Sequence, residues 1–409
     1  MRWRKDLMHF HNRYSSTGSE GCSLAKPTHA HIEGFDIIRL GAALMVVFYH
    51  FAYWNWHECA CVDATFPSLV PYSWWGWIGV PIFFVISGFV IALSAEGRTA
   101  NDFLRGRLLR IAPGLWFFAT LAFLVLVLTN AREFPAAAFL LAKSFVLWPI
   151  GPWVDGVYWS LTVEVLFYSI VFILLAGGCF KWLWSFATVW FLLTTLFALS
   201  CVVDLFWHYP EPFDQILHTV RDAYASRYLL LTSGPYFVMG LAIYFIFRQG
   251  MTFGRIFMLA GSFIAAEISI YFSSLEMRPH DASVSLIVPG LVFAAGTFAI
   301  IVSVAMSNAP GSRSRGRGQV IKLLGLASYP LYLVHFVTGR WISTSLLAMG
   351  LQKGLAIGLS IALCLAVSLL FSYAFEGKLR GWLAATYDQL ALMVERMRPE
   401  SLRHAERRA

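Results

Sequence analysis

Ten separate stretches of about twenty mostly apolar residues run along this chain, each long enough to cross the hydrocarbon core of a bilayer as a helix. They lie near residues 35–54, 74–94, 111–129, 157–176, 182–203, 228–247, 256–275, 284–306, 323–345 and 353–376 of a 409-residue sequence. A backbone in lipid must satisfy its own hydrogen bonds, so the expected fold is an all-α integral membrane protein of about ten transmembrane helices. Composition agrees, with 58% of residues apolar and 13% charged, against roughly 45–50% and 25% in soluble domains. That excludes an ordinary soluble enzyme. A 16% aromatic share excludes disordered or collagen-like chains as well. The stretch 136–150 is too short for a span and carries Lys143, so it is expected to be interfacial or re-entrant.

Positive charge sets the orientation. With ten spans both termini share a side, and that side holds 23 of the 31 Lys and Arg residues, against 6 on the other side and Arg39 and Arg340 within spans. The positive-inside bias places both termini in the cytoplasm. The net charge of +8 is spread over loops rather than gathered on one face, so it implies no nucleic-acid partner. Three parts follow: a cytoplasmic tail at 1–34, a membrane domain at 35–376 and a basic cytoplasmic tail at 377–409. In the last, Trp382 to Met397 repeats apolar residues at helical spacing, as a helix lying on the membrane surface does. The loop GSRSRGRG at 311–318 reads as a flexible basic segment facing anionic lipid, or as an orientation signal alone. The first 34 residues carry no apolar core of a signal peptide, so none is expected to be cleaved. The six cysteines form no framework, and His57, Cys59 and Cys61 leave a zinc ion one ligand short, so no metal is expected.

Ionisable groups inside spans cost at least ~2.5 to 3.5 kcal/mol each and mark function by default. Here they are Arg39, His50, Glu164, Glu267, His335 and Arg340. Arg39 and His50 are eleven residues apart, about three helical turns and ~16 Å along one face. Snorkelling of Arg39 and interfacial anchoring by His50 is the plainer alternative. Ser160, Glu164 and Tyr168 form one stripe at i, i+4 and i+8, which puts Glu164 near the depth of His50, as a base and its orienting partner require. Ser328, Tyr332 and His335 share a face of the ninth span, with Pro330 expected to kink it. His335 is either a substrate ligand or a satisfied core histidine. Arg105, Arg107 and Arg110 crowd the loop between spans two and three. Arg107 and Arg110, one turn apart, can converge on a phosphate or diphosphate, although on this loop alone a topogenic signal explains them. Glu267 and Arg340 have no partner in the sequence.

Taken together these stretches resemble the membrane acyltransferase 3 family. The motifs are FDIIRLGAALMVVFYH with Arg39 and His50 as the family's Arg-x10-His, GVPIFFVISGFVI at 79–91, FLRGRLLRIAP at 103–113, YWSLTVEVLFY at 158–168 and LGLASYPLYLVH at 324–335. The resemblance implies ten spans in a bacterial inner membrane and transfer of a short acyl group, usually acetyl, from cytoplasmic acyl-CoA (acetyl-CoA) to a hydroxyl. The implied acceptor is a glycan such as exopolysaccharide or lipopolysaccharide, with polysaccharide assembly machinery as a neighbour. It implies a catalytic His50, with Glu164 near the acceptor site, and Arg39, Arg107 and Arg110 at the donor phosphates. His335, Tyr332, Ser160 and Tyr168 are expected to bind substrate. Pro81, Trp116 and the pair Gly377 and Lys378 depart from the usual pattern, which bears on acceptor type rather than on the core chemistry. No additional serine-hydrolase-like domain accompanies the spans. A proton-coupled secondary transporter of a small anionic or sugar solute is the rival reading, since carriers also place ionisable groups at mid-depth. The asymmetry of inner arginines and outer His and Glu, and the absence of paired broken helices, count against it.

Overall fold

The computed structural model describes residues 32–54, 66–207, 210–222, 229–278, 284–307 and 317–397, and no strand occurs among them. The His57, Cys59 and Cys61 cluster, the N-terminal tail up to His31 and most of the basic loop at 311–318 lie outside the described residues. Fourteen helices carry the argument: α1 Glu33–Tyr49, α2 Gly79–Ala95, α3 Ala100–Leu128, α4 Phe134–Phe145, α5 Tyr158–Ala176, α6 Leu183–Trp207 and α7 Phe213–Asp222, then α8 Gly234–Gln249, α9 Phe253–Met277, α10 Ile287–Ser307, α11 Arg317–Val334, α12 Val337–Ala348, α13 Lys353–Leu370 and α14 Glu376–Met397.

Eight helical segments are long and apolar enough to cross a membrane, and nine if α11 and α12, bent by 74° at their junction, make one broken span. The remaining stretch of the ten, 228–247, forms α8, whose 16 residues extend only ~24 Å. Every residue of α8 from Gly234 to Phe245 is buried. A helix apolar on all sides belongs in the middle of a bundle, and α8 packs there against α2. At their crossing a Cβ on Gly88 would run into the backbone of Phe237, and one on Gly240 into that of Val85. By contrast, α6, α9 and α10 expose Leu192, Leu196, Ile264 and Phe298 on their outer faces, as lipid-facing helices do. This is a multi-pass membrane protein.

Helix α1 is the axis of the site, and its neighbours reach it through small residues. Gly76 and Gly79 lie against the carbonyls of Met45 and Ala42, while Gly325 of α11 lies against Asp36. Helix α3 begins with a cap, Thr99 Oγ1 accepting from the Asp102 N–H at 3.1 Å. It then runs through Pro113 to Leu128. The stretch 136–150 yields the 12-residue α4.

One expectation is corrected. The break in the ninth span falls after Val334 rather than at Pro330, which sits inside α11. At that break the Val337 N–H is taken by the carboxylate of Asp155 at 3.0 Å, a partner outside the helix that ends the intrahelical ladder. The C-terminal helix also contacts the bundle. It continues α13 through a π turn at Phe371–Phe375 and packs along α3, with Leu383 buried against Leu109 and Ala112. There the Arg105 guanidinium donates twice to the Asp388 carboxylate, at 2.8 and 2.7 Å, and Arg380 donates to the Leu109 carbonyl at 3.1 Å.

Candidate active site

The C-terminal end of α1 opens into a π turn, His50–Trp54, which turns the His50 ring toward the break between α11 and α12. His50 Nδ1 lies 2.9 Å from the Val46 carbonyl oxygen and 3.0 Å from His335 Nε2. His335 Nδ1 lies 2.8 Å from the Tyr332 carbonyl oxygen. Carbonyls only accept, so with both rings neutral His335 carries its proton on Nδ1 and accepts at Nε2. His50 then carries its proton on Nδ1, shared between Val46 and His335, which leaves His50 Nε2 as the bare basic nitrogen. The rings stand 4.9 Å apart between centroids, and Phe336 meets His50 edge-on at 4.9 Å.

His50 faces a cavity of about 580 Å³. Trp77, Phe84, Trp159 and Tyr236 wall it, with hydroxyls from Thr232, Ser233 and Ser273. Aromatic faces with a few hydroxyls suit a polyhydroxylated ring, since such faces cover its C–H edges while hydroxyls orient it. Tyr332 lines the same cavity, and its hydroxyl sits 2.7 Å from Ser160 Oγ and donates to the Val157 carbonyl at 3.2 Å. His335, with no exposed surface, is absent from the wall and reaches the cavity through His50.

The other end of α1 gathers cations. Arg39 is ringed by Arg110, Asp36, Glu164 and Tyr168, with its NH1 3.9 Å from Asp36 Oδ1 and 23% of its side chain accessible. The Arg107 guanidinium lies over the rings of Phe103 and Tyr168 at 5.7 and 5.8 Å, and Arg110 over Tyr329 at 5.7 Å. The Nε of Arg107 is buried without a hydrogen-bond partner among the described residues. Ring faces attract guanidinium groups without using up their N–H donors, so this end keeps donors for an anion. Arg105, committed to Asp388, stands apart from it.

Glu164 joins the two ends. Its Oε1 accepts from Ser87 Oγ at 2.5 Å, it neighbours Arg39 and it lies beside Tyr168. The predicted stripe is formed, with Ser160 at the histidine end and Tyr168 at the arginine end. No hydrogen bond joins Glu164 to His50 among the described residues. The orienting partner of His50 is instead His335, 285 residues away in the chain. Tyr168 serves the arginine end, stacked against Arg107. Two site residues have no forewarning in the sequence reading. Ser87 lies inside a quoted motif but is a common small residue in a membrane helix. Asp155 lies in a loop just before α5, where a carboxylate attracts no notice, yet only 1% of it is exposed.

Residues 32–376 match the family model described as an acyltransferase domain. Nodulation protein 10 of Rhizobium leguminosarum bv. viciae is 31% identical over 170 residues, covering 35% of this chain and 45% of that protein. The chain thus spans under half the length of this curated relative. No solved structure matches it.

Proposed function

We propose, for a chain that belongs to the membrane acyltransferase 3 family and is therefore an acyltransferase, that it moves a short acyl group, in the simplest case acetyl, from acyl-CoA to a hydroxyl of a cell-surface or exported glycan. The observation that carries this reading is the placement of one bare imidazole nitrogen, His50 Nε2, on an aromatic cavity, with a cluster of three guanidinium groups, Arg39, Arg107 and Arg110, toward the opposite end of α1. A proton-coupled carrier does not account for an acyltransferase fold and is set aside.

In this reading the diphosphate and nucleotide of acyl-CoA dock on Arg39, Arg107 and Arg110, whose N–H groups make charge-assisted hydrogen bonds to phosphate oxygens. The pantetheine arm runs along α1 past Ser87 and Glu164, the ~16 Å that separates Arg39 from His50, and brings the thioester carbonyl beside the imidazole. The acceptor hydroxyl enters from the aromatic cavity. His50 Nε2 removes its proton while the oxygen attacks the carbonyl carbon; the new C–O bond forms, the C–S bond breaks and the departing thiolate takes the proton back from His50. During that interval His50 is an imidazolium, and its Nδ1–H donates to His335 Nε2. His335 holds the ring in the reactive tautomer and disperses its charge, acting on the substrate through His50. Holding both reactants together supplies up to ~7 to 11 kcal/mol of the barrier lowering in the best systems.

The arginine end faces the cytoplasm, where acyl-CoA is made, and the cavity faces the opposite side of a bacterial inner membrane. Such a layout transfers the acyl group across the bilayer without moving CoA, and suits acceptors supplied by polysaccharide assembly machinery. The test is binding and turnover of radiolabelled acetyl-CoA by the full chain in proteoliposomes. Wild type is expected to bind it, the Arg107→Ala, Arg110→Ala double variant not to, and His50→Ala to bind without transfer. Absence of affinity for any short acyl-CoA sinks the reading.

A further inference from the structure

Asp155 has no place in the chemistry above, yet it is the carboxylate most completely enclosed near the histidine pair. Its Oδ1 accepts from the Val157 N–H at 3.1 Å and its Oδ2 from the Val337 N–H at 3.0 Å. The first bond is local and closes the turn that leads into α5. The second crosses 182 residues of sequence and caps the first turn of α12, whose N-terminus has no side-chain cap of its own. A carboxylate at a helix N-terminus meets unpaired N–H groups and the positive end of the helix dipole.

The same short segment grips the chain on both sides of His335. Upstream, the Tyr332 hydroxyl donates to the Val157 carbonyl and meets Ser160 Oγ. Downstream lies the Asp155–Val337 bond, and between them the Phe336 ring rests on Gly156, where an added Cβ would be only 3.1 Å from the ring. His335 is therefore pinned between two clamped neighbours in the one place where the broken span has no helical ladder to hold it. We infer that Asp155 is a positioning residue for acyl transfer, whose two accepted N–H bonds fix the helix break so that His335 Nε2 stays within hydrogen-bond reach of His50 Nδ1. The inference rests on His50 being the base of the proposed reaction. It extends the site by a residue that touches neither substrate nor imidazole.

The geometry sets the expected kinetics. Without the clamp the α11–α12 junction relaxes, the His50–His335 bond lengthens and His50 loses its orientation. Misplacement of a catalytic group by about 1 Å costs on the order of 100-fold in rate. The arginine end, on the far side of Glu164, is untouched. The effect should therefore fall on kcat counted per acetyl-CoA binding site and leave the KM for acetyl-CoA alone; general loss of folded protein removes binding sites and turnover together and leaves kcat per site unchanged.

The experiment uses membrane vesicles of the native host carrying the full chain or its variants, supplied with radiolabelled acetyl-CoA, with label incorporated into the membrane glycan fraction as the readout. Asp155→Ala is expected to lower kcat by about 5- to 10-fold, no more than removal of His335 itself, with KM within about 2-fold of wild type. Asp155→Asn, which keeps one accepting oxygen, should fall between the two. Should Asp155→Ala fail to accumulate, Asp155→Asn decides alone, through a kcat lowered at least about 3-fold at unchanged KM, about 0.65 kcal/mol. Wild-type kcat in whichever variant decides, or kcat and KM shifted together, overturns the inference. The underlying reading fails separately, by a wild type that incorporates no label or a His50→Ala variant that incorporates it normally.

Discussion

The two ends of α1 are built on opposite plans. At the histidine end the two imidazoles and Tyr332 are already partnered: His335 is bonded on both nitrogens, His50 on one, and Tyr332 through its hydroxyl. At the arginine end Arg107 and Arg110 rest on aromatic faces, Arg39 faces Asp36, and Arg107 keeps a buried N–H unused. A site that handles one proton needs a fixed ring and a fixed tautomer. A site that takes up and releases a polyanion needs donors held in place but unspent. Within one bundle, saturation marks the place of bond making and under-saturation the place of docking.

The largest effect that separates the two ends is loss of the base. His50→Ala should lower transfer by at least about 100-fold, the usual scale for a positioned general base, while acetyl-CoA binding measured by equilibrium filtration stays near wild type. A parallel loss of binding would erase the distinction between the ends. The Arg107→Ala, Arg110→Ala double variant is the converse. It removes charge-assisted bonds worth about 1.5 to 3 kcal/mol apiece and should raise the dissociation constant of acetyl-CoA at least about 100-fold, most of the lost kcat/KM appearing in KM. Smaller again is His335→Ala. His50 keeps its bond to Val46 but loses the acceptor that stabilises its imidazolium, so kcat should drop by about tenfold, one hydrogen bond's worth near 1.4 kcal/mol. If His335→Ala instead changes KM for acetyl-CoA, the histidine pair belongs to donor binding and the division collapses.

How much of this is legible in the sequence depends on the range of the interaction. The apolar stretches are local, so their helices appear where expected, and the Ser160, Glu164, Tyr168 stripe follows from helical periodicity alone. Arg39 and His50 on one face follow for the same reason. Length misleads for α8, because a helix buried on all sides need not match the bilayer by itself. Pro330 looks like the breaker of the ninth span, but α11 continues through it and the break forms where Asp155 draws away an N–H from another segment. Pairing of His50 with His335 rather than Glu164 is likewise a matter of tertiary packing. Depth along the membrane put the imidazole and the carboxylate in one layer, but depth says nothing about which helix faces which.

The finest test of the saturated end is its dependence on pH through Asp155. Burial pushes this carboxyl up to about 7, partly opposed by the two N–H groups it accepts from. An unfolded aspartate titrates near 3.9, so between the two values the folded protein binds a proton that the unfolded chain has released. Stability contributed by this group is therefore full below about pH 4 and declines as pH rises toward 7, after which the difference is constant. Asp155→Asn cannot titrate. Thermal unfolding in detergent, followed from pH 5 to 8.5, should show the wild-type midpoint falling relative to the Asn variant up to about pH 7 and running parallel to it above. Parallel curves throughout would mean that the carboxylate is ionised in the folded protein across that range, held there by its two backbone donors. The clamp on the helix break would then be charged over that whole range, and the histidine end would carry a permanent anion to balance the imidazolium formed during transfer.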